Sequence, residues 1–324
     1  MGLKSARSLR YDSPFHPESP TMLSRRAISS RILNASFLLA VLMGAASASA
    51  VAGPVLERIQ KSGKIVLAHR ESAIPFSYLD ADKHPIGYTM DLCMKITESI
   101  RKHLGLKTLT TEYLKVTEFN QLNMIEQDKA DLECASTSNN AEHREKVAFT
   151  VPHYITGTRF MVRADSTITD LRGFEGLTLV STYKTPSLDA IKRANKERLL
   201  RISIMQANDH AEATQMIEKE QADGFAMDDV LLYGMIASRP DPSKLKVVGK
   251  YLTLEPLSIV MSKKDPELKA IVDEEMRRLI TSREAFAIYD RWFLKPIPPR
   301  NAALNIPMNY LLRDLWKYPT DQAN

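Results

Sequence analysis

"DLECASTSNNAEHRE", residues 131–145, decides how this chain is read. The run Leu132–Ala135 has the look of a short strand, and three hydroxyls follow at once: Ser136, Thr137 and Ser138. Two amides and a His–Arg pair come next, with almost nothing apolar among them. A strand end that feeds a helix start places free backbone N–H groups beside hydroxyls, which suits an oxyanion. Asn139 with Glu142 three residues on has capping-box spacing. His143 or Arg144, in the first helical turn, could add a cation. A plain capped helix with a solvated charge run explains the same letters equally well, so the flanking chain has to decide.

Outward from this stretch, strand-like and helix-like patterns alternate. "KIVLAHR" (64–70), "LTTEYLKV" (109–116) and "DLECAS" (131–136) read as strands. "TMDLCMKITESIRKHLG" (89–105) and "EFNQLNMIEQDKA" (118–130) read as helices, the first ending at Gly105. The pattern restarts with strands "LTLVST" (177–182), "RISIMQ" (201–206) and "DGFAMD" (223–228). Helices "PSLDAIKRANKERL" (186–199) and "HAEATQMIEKEQA" (210–222) alternate with them. Such alternation predicts two α/β units with largely parallel sheets. "YITGTRFMVR" (154–163) and "GKYLTLEPLSIVMSK" (249–263) lie at the two boundaries, so the chain is expected to cross between the units twice, at a hinge. Residues 265–293 read as one long amphipathic helical segment, and the Pro-rich tail as a surface wrap. The expected divisions are an extension with export signal at 1–50, a first lobe over 51–156, a second over 157–252, and a return to the first over 253–324.

Charge and composition exclude several classes. The chain has 324 residues, 44 basic and 39 acidic. Residues 1–50 take six of the former and two of the latter, so the remainder is nearly neutral and offers no basic face for nucleic acid. "MLSRRAISSR", "ILNASFLLAVLM" and "GAASASA" (22–50) have the form of a basic, an apolar and a small-residue cleavage segment. Cleavage near Ala50 and a periplasmic location are expected, with Met22 as the start of the signal. The two cysteines, Cys93 and Cys134, sit in apolar patterns; an oxidising compartment permits a disulfide, yet the spacing fits no framework, and buried free thiols are the default expectation.

Ligands in α/β sheets sit beyond the carboxyl ends of strands. Arg70 follows the first strand, where it could be a fork for a carboxylate or a surface charge. Ser136 and Ser138 follow the third, Thr185 and His210 follow strands of the second unit, and Asp228 follows "GFAM". Asp228 could receive an ammonium or simply cap the next helix, unless Asp229 takes that cap. Glu118 and Gln121 precede an apolar helical pattern and read equally as its first turn.

Across nearly the whole chain after residue 50, "HRESAIPFSYLD", "IGYTMDL", "DLECASTSNNAE", "GTRFMV", "DHAEA", "MDDVLLYG" and "FLKPIPPRN" resemble the polar amino-acid binding proteins of ABC importers, and closely their glutamate/aspartate-binding branch. The resemblance implies a type II periplasmic-binding-protein fold: two α/β lobes joined by two hinge strands, closing on one small polar amino acid and docking on permease subunits in the membrane. It implies Arg70 and His210 as contacts to a distal carboxylate, Ser136, Ser138 and Thr185 as hydroxyl contacts, and Asp228 as acceptor of the α-ammonium. Three positions depart from the branch. His143 stands in place of an Arg that clamps the α-carboxylate, and Glu118 and Gln121 stand in place of a Ser and an Arg. Glu118 could favour an amide, a neutral amino acid or a ligand with an extra ammonium. A monomer without cofactor, metal or nucleic acid is expected. Two other readings compete: a cyclohexadienyl-dehydratase-like enzyme with Glu118 as general acid, and a sensory protein presenting its ligand to a membrane receptor.

Overall fold

A computed structural model describes residues 53–321, so the expected export signal lies outside the described residues. Helix α1 (Pro54–Ser62) leads into strand β1 (Lys64–His69) and a small meander of β2 (Ser72–Ala73), β3 (Ser77–Leu79) and β4 (Pro85–Ile86). Helix α2 (Tyr88–His103), β5 (Thr110–Lys115), α3 (Gln121–Glu126), β6 (Leu132–Ser138), α4 (Ala141–Lys146), β7 (Ala148–Phe149) and β8 (Tyr154–Thr156) follow. The second lobe runs β9 (Thr158–Arg163), β10 (Thr178–Thr182), α5 (Pro186–Glu197), β11 (Ser203–Ala207), α6 (His210–Glu218), β12 (Gly224–Asp228), α7 (Asp229–Ala237) and β13 (Leu245–Val248). The chain then returns through β14 (Glu255–Met261), α8 (Pro266–Thr281), α9 (Glu284–Phe293), β15 (Pro296–Ile297), β16 (Ala302–Ala303) and α10 (Tyr310–Leu315).

The first sheet has the order β5-β1-β6-β14-β7, with β8 also on β14, and the second the order β11-β10-β12-β9-β13. In each sheet three strands run parallel and the strand entering from the other lobe runs antiparallel to them. The parallel strands are apolar because helices cover both faces. Thus Leu132, Cys134 and Ala135 of β6 and Phe225, Ala226 and Met227 of β12 are buried. Pro at the first position and a side-chain cap start several helices where the sequence implies. Thr185 Oγ1 accepts from Leu188 N–H for α5, and Asp209 accepts from Glu212 N–H for α6. One carboxylate serves two helices: Asp265 accepts from Leu268 at the head of α8 and from Val55 and Leu56 at the head of α1.

Several expectations are corrected. The segment 118–130 yields only the six residues of α3, because Asn120 Oδ1 accepts from Thr117 N–H and shapes a turn first. The long helical segment breaks into α8 and α9 at Arg283, whose φ is +69°. The boundary segment 249–263 is strand only from Glu255 on, in β14; Gly249, with a φ of +84°, follows the end of β13. The tail is more than a surface wrap: Trp316 is buried against Phe286 and donates its Nε1–H to Pro152 O. Cys93 and Cys134 are not free thiols but form a disulfide that ties α2 to β6, closing a span of 41 residues. Both are fully buried, so the apolar surroundings that pointed to thiols hold a cross-link instead.

The crossings between lobes are packed tightly. A Cβ on Gly157 would stand 2.1 Å from Thr253 O, so the two crossing segments touch backbone to backbone. Asp229 joins both: its Oδ1 accepts from Thr156 Oγ1 at 2.9 Å and its Oδ2 from Tyr251 OH at 2.7 Å. Beside them Thr158 and Thr253 exchange a hydroxyl contact at 3.0 Å. On the far side, the β2–β3 turn rests on α7, where a Cβ at Gly234 would meet Ile74 O at 2.2 Å.

Two outcomes follow from this packing. Replacing both cysteines with alanine is expected to cost about 3–4 kcal/mol of unfolding free energy, from the loop that the bridge closes; denaturant titration with and without reductant measures it. Gly157→Ala is expected to lower stability by about 1–3 kcal/mol, because the crossings have no room to separate; calorimetry reads it as a lower melting temperature.

Candidate functional site

The carboxyl ends of the parallel strands in the two sheets face one cleft. A small cavity of ≈ 40 Å³ there is lined by seven of the nine expected residues: Glu118, Gln121, Ser136, Ser138, His143, Thr185 and Asp228. The other two, Arg70 and His210, are in contact with Glu118. All nine therefore lie in one cluster drawn from both lobes.

Glu118 is the centre of that cluster. It follows β5 in the turn before α3, and Arg70 Nη1 of the first lobe pairs with its carboxylate. His210 Nε2, at the head of α6 in the second lobe, lies 2.9 Å from Glu118 Oε1. The other ring nitrogen of His210 lies 2.8 Å from Thr182 Oγ1, which fixes the ring plane. Arg70 is 3% exposed, so the sequence alternative of a surface charge is excluded. Burial pushes the Glu118 carboxyl up, but the Arg70 guanidinium and the His210 imidazole outweigh it and hold the group well below the usual carboxylate range. Glu118 is therefore an anion. Its second oxygen, Oε2, is buried and has no hydrogen-bond partner among the described residues.

Asp228 ends β12 and is 3% exposed. It makes no side-chain cap bond to α7, so the cap alternative is excluded. Asp229 is no cap either; its oxygens are taken by the hinge. Burial pushes the Asp228 carboxyl well up, and Glu255, Asp229 and Glu118 push it further, while a hydrogen bond from Ser187 partly offsets them. Glu255, at the start of β14, is raised by burial and partly relieved by Ser138, Thr253 and Arg193. The sequence reading missed Glu255; its signal was an acid inside the otherwise apolar "LTLEPLSIVM".

The stretch 131–145 resolves differently from the capping-box expectation. Asn140, not Asn139, caps α4, accepting from His143 N–H at 2.9 Å. Asn139 is buried and donates to Ser258 Oγ and Asp321 O, while its Oδ1 accepts from Arg144 Nε at 2.6 Å. So Arg144 turns to Asn139, and His143 faces the cavity with Nδ1 2.8 Å from Ser138 O. Thr185 lines the cavity, but its hydroxyl donates to Thr182 O and accepts from Leu188 N–H. At the mouth, Phe119 of the first lobe stacks on Tyr183 of the second at 6.1 Å, and Lys184 Nζ lies 4.4 Å over the Phe119 ring. Phe119 is 57% exposed and sequence reasoning passed it over, since an aromatic in a polar turn carries no periodic signal.

One further acid lies near the cluster. Glu133 of β6 is fully buried, and Thr137 Oγ1 donates to its Oε2 at 2.9 Å. Burial pushes its carboxyl up to about 8, with Thr137 and Arg70 opposing. Elsewhere, Asp80, Asp82 and His84 come together at metal-ligand spacing, in a turn outside the cleft. No described helix is long and apolar enough to cross a membrane.

Two lobes around a polar cleft, each built on a sheet with one antiparallel strand, define a type II periplasmic-binding-protein fold. The chain belongs to the bacterial extracellular solute-binding proteins, family 3, which it matches over residues 65–295. It is 35% identical over 297 residues to the L-glutamate/L-aspartate-binding protein of Pseudomonas aeruginosa, covering 91% of this chain and 98% of that one. It is 33% identical over 286 residues to the glutamate/aspartate import solute-binding protein of Escherichia coli, covering 88% and 95%. Among solved structures, a variant of the arginine-binding protein of T. maritima superposes with a TM-score of 0.65 at 19% identity, covering 74% and 98%. An ancestral amino acid-binding protein, a precursor of cyclohexadienyl dehydratase, gives 0.62 at 23% identity, covering 73% and 98%. These two likenesses speak for the fold alone.

The high carboxyl of Glu133 has a measurable consequence. Because it is raised in the folded state, its contribution to stability is complete below about 4.5 and is lost as pH rises through about 8. Glu133→Gln keeps an acceptor for Thr137 and removes the titration. The drop in melting temperature between roughly pH 5 and pH 8 is expected to shrink in this variant; scanning calorimetry at both values checks it, and an undiminished drop assigns the pH dependence to other groups.

Proposed function

We propose that the chain is the solute-binding protein of an ABC importer, working outside the cytoplasmic membrane, and that its cleft closes on one α-amino acid. The observation that carries this reading is Asp228. It is a buried acid, free of capping duty, and after burial itself the carboxylates of Glu255, Asp229 and Glu118 each push its carboxyl further up. A buried acid among acids is costly unless a cation arrives, and a ligand ammonium is that cation. Ser136, Ser138 and His143 supply polar groups for the other end of a zwitterion. The relatives named for glutamate and aspartate support an amino-acid ligand and permease partners.

Closure follows from where these groups sit. The first lobe brings Ser136, Ser138 and His143; the second brings Asp228 and Thr185. A ligand touching both favours the closed state by its differential affinity for it. The enzyme reading weakens on Glu118, its candidate acid: held ionised by Arg70 and His210, that carboxyl is a poor proton donor.

Asp228→Asn removes the charge with little change in shape. Affinity for any α-amino acid that binds the parent is expected to fall about 10- to 100-fold, the size of a charge-assisted hydrogen bond. Titration calorimetry measures it, and unchanged affinity takes Asp228 out of the site.

A further inference from the structure

We infer that Glu118 sets the ligand's side-chain class: the cleft takes amino acids whose side chain carries no negative charge and ends in a hydrogen-bond donor. This rests on the amino-acid reading above. The argument is one of charge and of lone pairs. Arg70 and His210 converge from opposite lobes on a single carboxylate, and that carboxylate belongs to the chain itself. An acidic side chain entering the cavity would compete with Glu118 for the same two partners. Two carboxylates cannot both be satisfied there, and like charges at close range disfavour each other strongly.

The rest of the lining reinforces this. Asp228 and Glu255 add two more acids. Lys184 faces the ring of Phe119 at the mouth, and Arg193 lies by Glu255 in the outer part of the cleft. The α-ammonium of a ligand answers Asp228. Two buried polar atoms remain without a hydrogen-bond partner: His210 Nε2, 2.9 Å from Oε1, and Glu118 Oε2, more than nine-tenths buried with its side chain. A buried carboxylate oxygen accepts hydrogen bonds only, so the group that completes it is an N–H or O–H. An amide, hydroxyl or ammonium at the end of the ligand side chain has that donor; a carboxylate has only more lone pairs.

The test is a binding panel on the purified chain and on two variants, with asparagine and glutamine set against aspartate and glutamate. The parent is expected to bind the amides at least about tenfold more tightly than the acids. Glu118→Ser frees Arg70 and His210, and is expected to move the ratio toward the acids by about tenfold or more. Should Glu118→Ser not fold, Glu118→Gln decides, since it removes the charge at nearly constant volume and is expected to move the ratio the same way. A parent that prefers the acids, or an acid-to-amide ratio unmoved in the folded variant, overturns the assignment of Glu118. If neither the parent nor any variant binds an amino acid of either kind, the amino-acid reading falls, and this one with it. The Asp228→Asn titration separates the cases, because a loss of amide binding there upholds the amino-acid reading whatever Glu118 does.

Discussion

A full negative charge buried where two lobes meet is the constraint on which the cleft depends. Removing a carboxylate from water costs several kcal/mol unless charges and donors replace the solvent. Glu118 meets that requirement only because Arg70 reaches it from one sheet and His210 from the other. Each of the three is buried, and none has an alternative in bulk water while the lobes are together. The same contact therefore fixes the floor of the cleft, positions the loop that carries Phe119 and makes the packing of one lobe answer to the other.

The lobes can answer to each other because their connections hold a defined geometry. Asp229 collects hydroxyls from both crossing segments, and Gly157 lets those segments touch. Asp229 also adjoins Asp228 in sequence, so the residue that ties the two crossings is one peptide from a residue that lines the cavity. On the other side of the cleft the disulfide pins β6 to α2, just upstream of Ser136. Hydroxyls presented at a strand end are useful only if that strand does not move under them.

Much of this was legible in the sequence because two periodicities alternate cleanly, and because polar residues cluster just past each apolar strand. That rule brought Arg70, Ser136, His210 and Asp228 to one cleft without any knowledge of sheet order. What it could not supply was pairing. Nothing in the letters says that Glu118 turns inward onto Arg70, since a Glu before an apolar helix is more often a solvated first turn. The cap at Asn140 instead of Asn139 is a one-residue matter decided by β14, whose pairing with β6 carries the strand through Ser138 and buries Asn139. The disulfide was illegible for the same reason: a sequence separation of 41 says nothing of the 6.2 Å between the Cα atoms of its cysteines. Arg283 broke a helix that amphipathic spacing left continuous, because a left-handed residue is invisible to periodicity.

Fold and ligand choice are separable here for a physical reason. A buried Arg70 needs an anion, whether it comes from the ligand or from the chain. A small neutral residue at 118 leaves Arg70 and His210 to find that anion outside, and the site is then complete only with an acidic ligand in place. With Glu at 118 the requirement is met internally, and the same Arg and His become structural. One loop residue thus converts a recognition group into a floor, without altering a strand, a helix or the hinge. On the proposed reading the cleft keeps its amino-acid end at Asp228 and changes only what it asks of the side chain. Identity of 33–35% to relatives named for glutamate and aspartate therefore carries the family of this chain, while on the proposed reading the charge at Glu118 governs which members of the amino-acid class can enter.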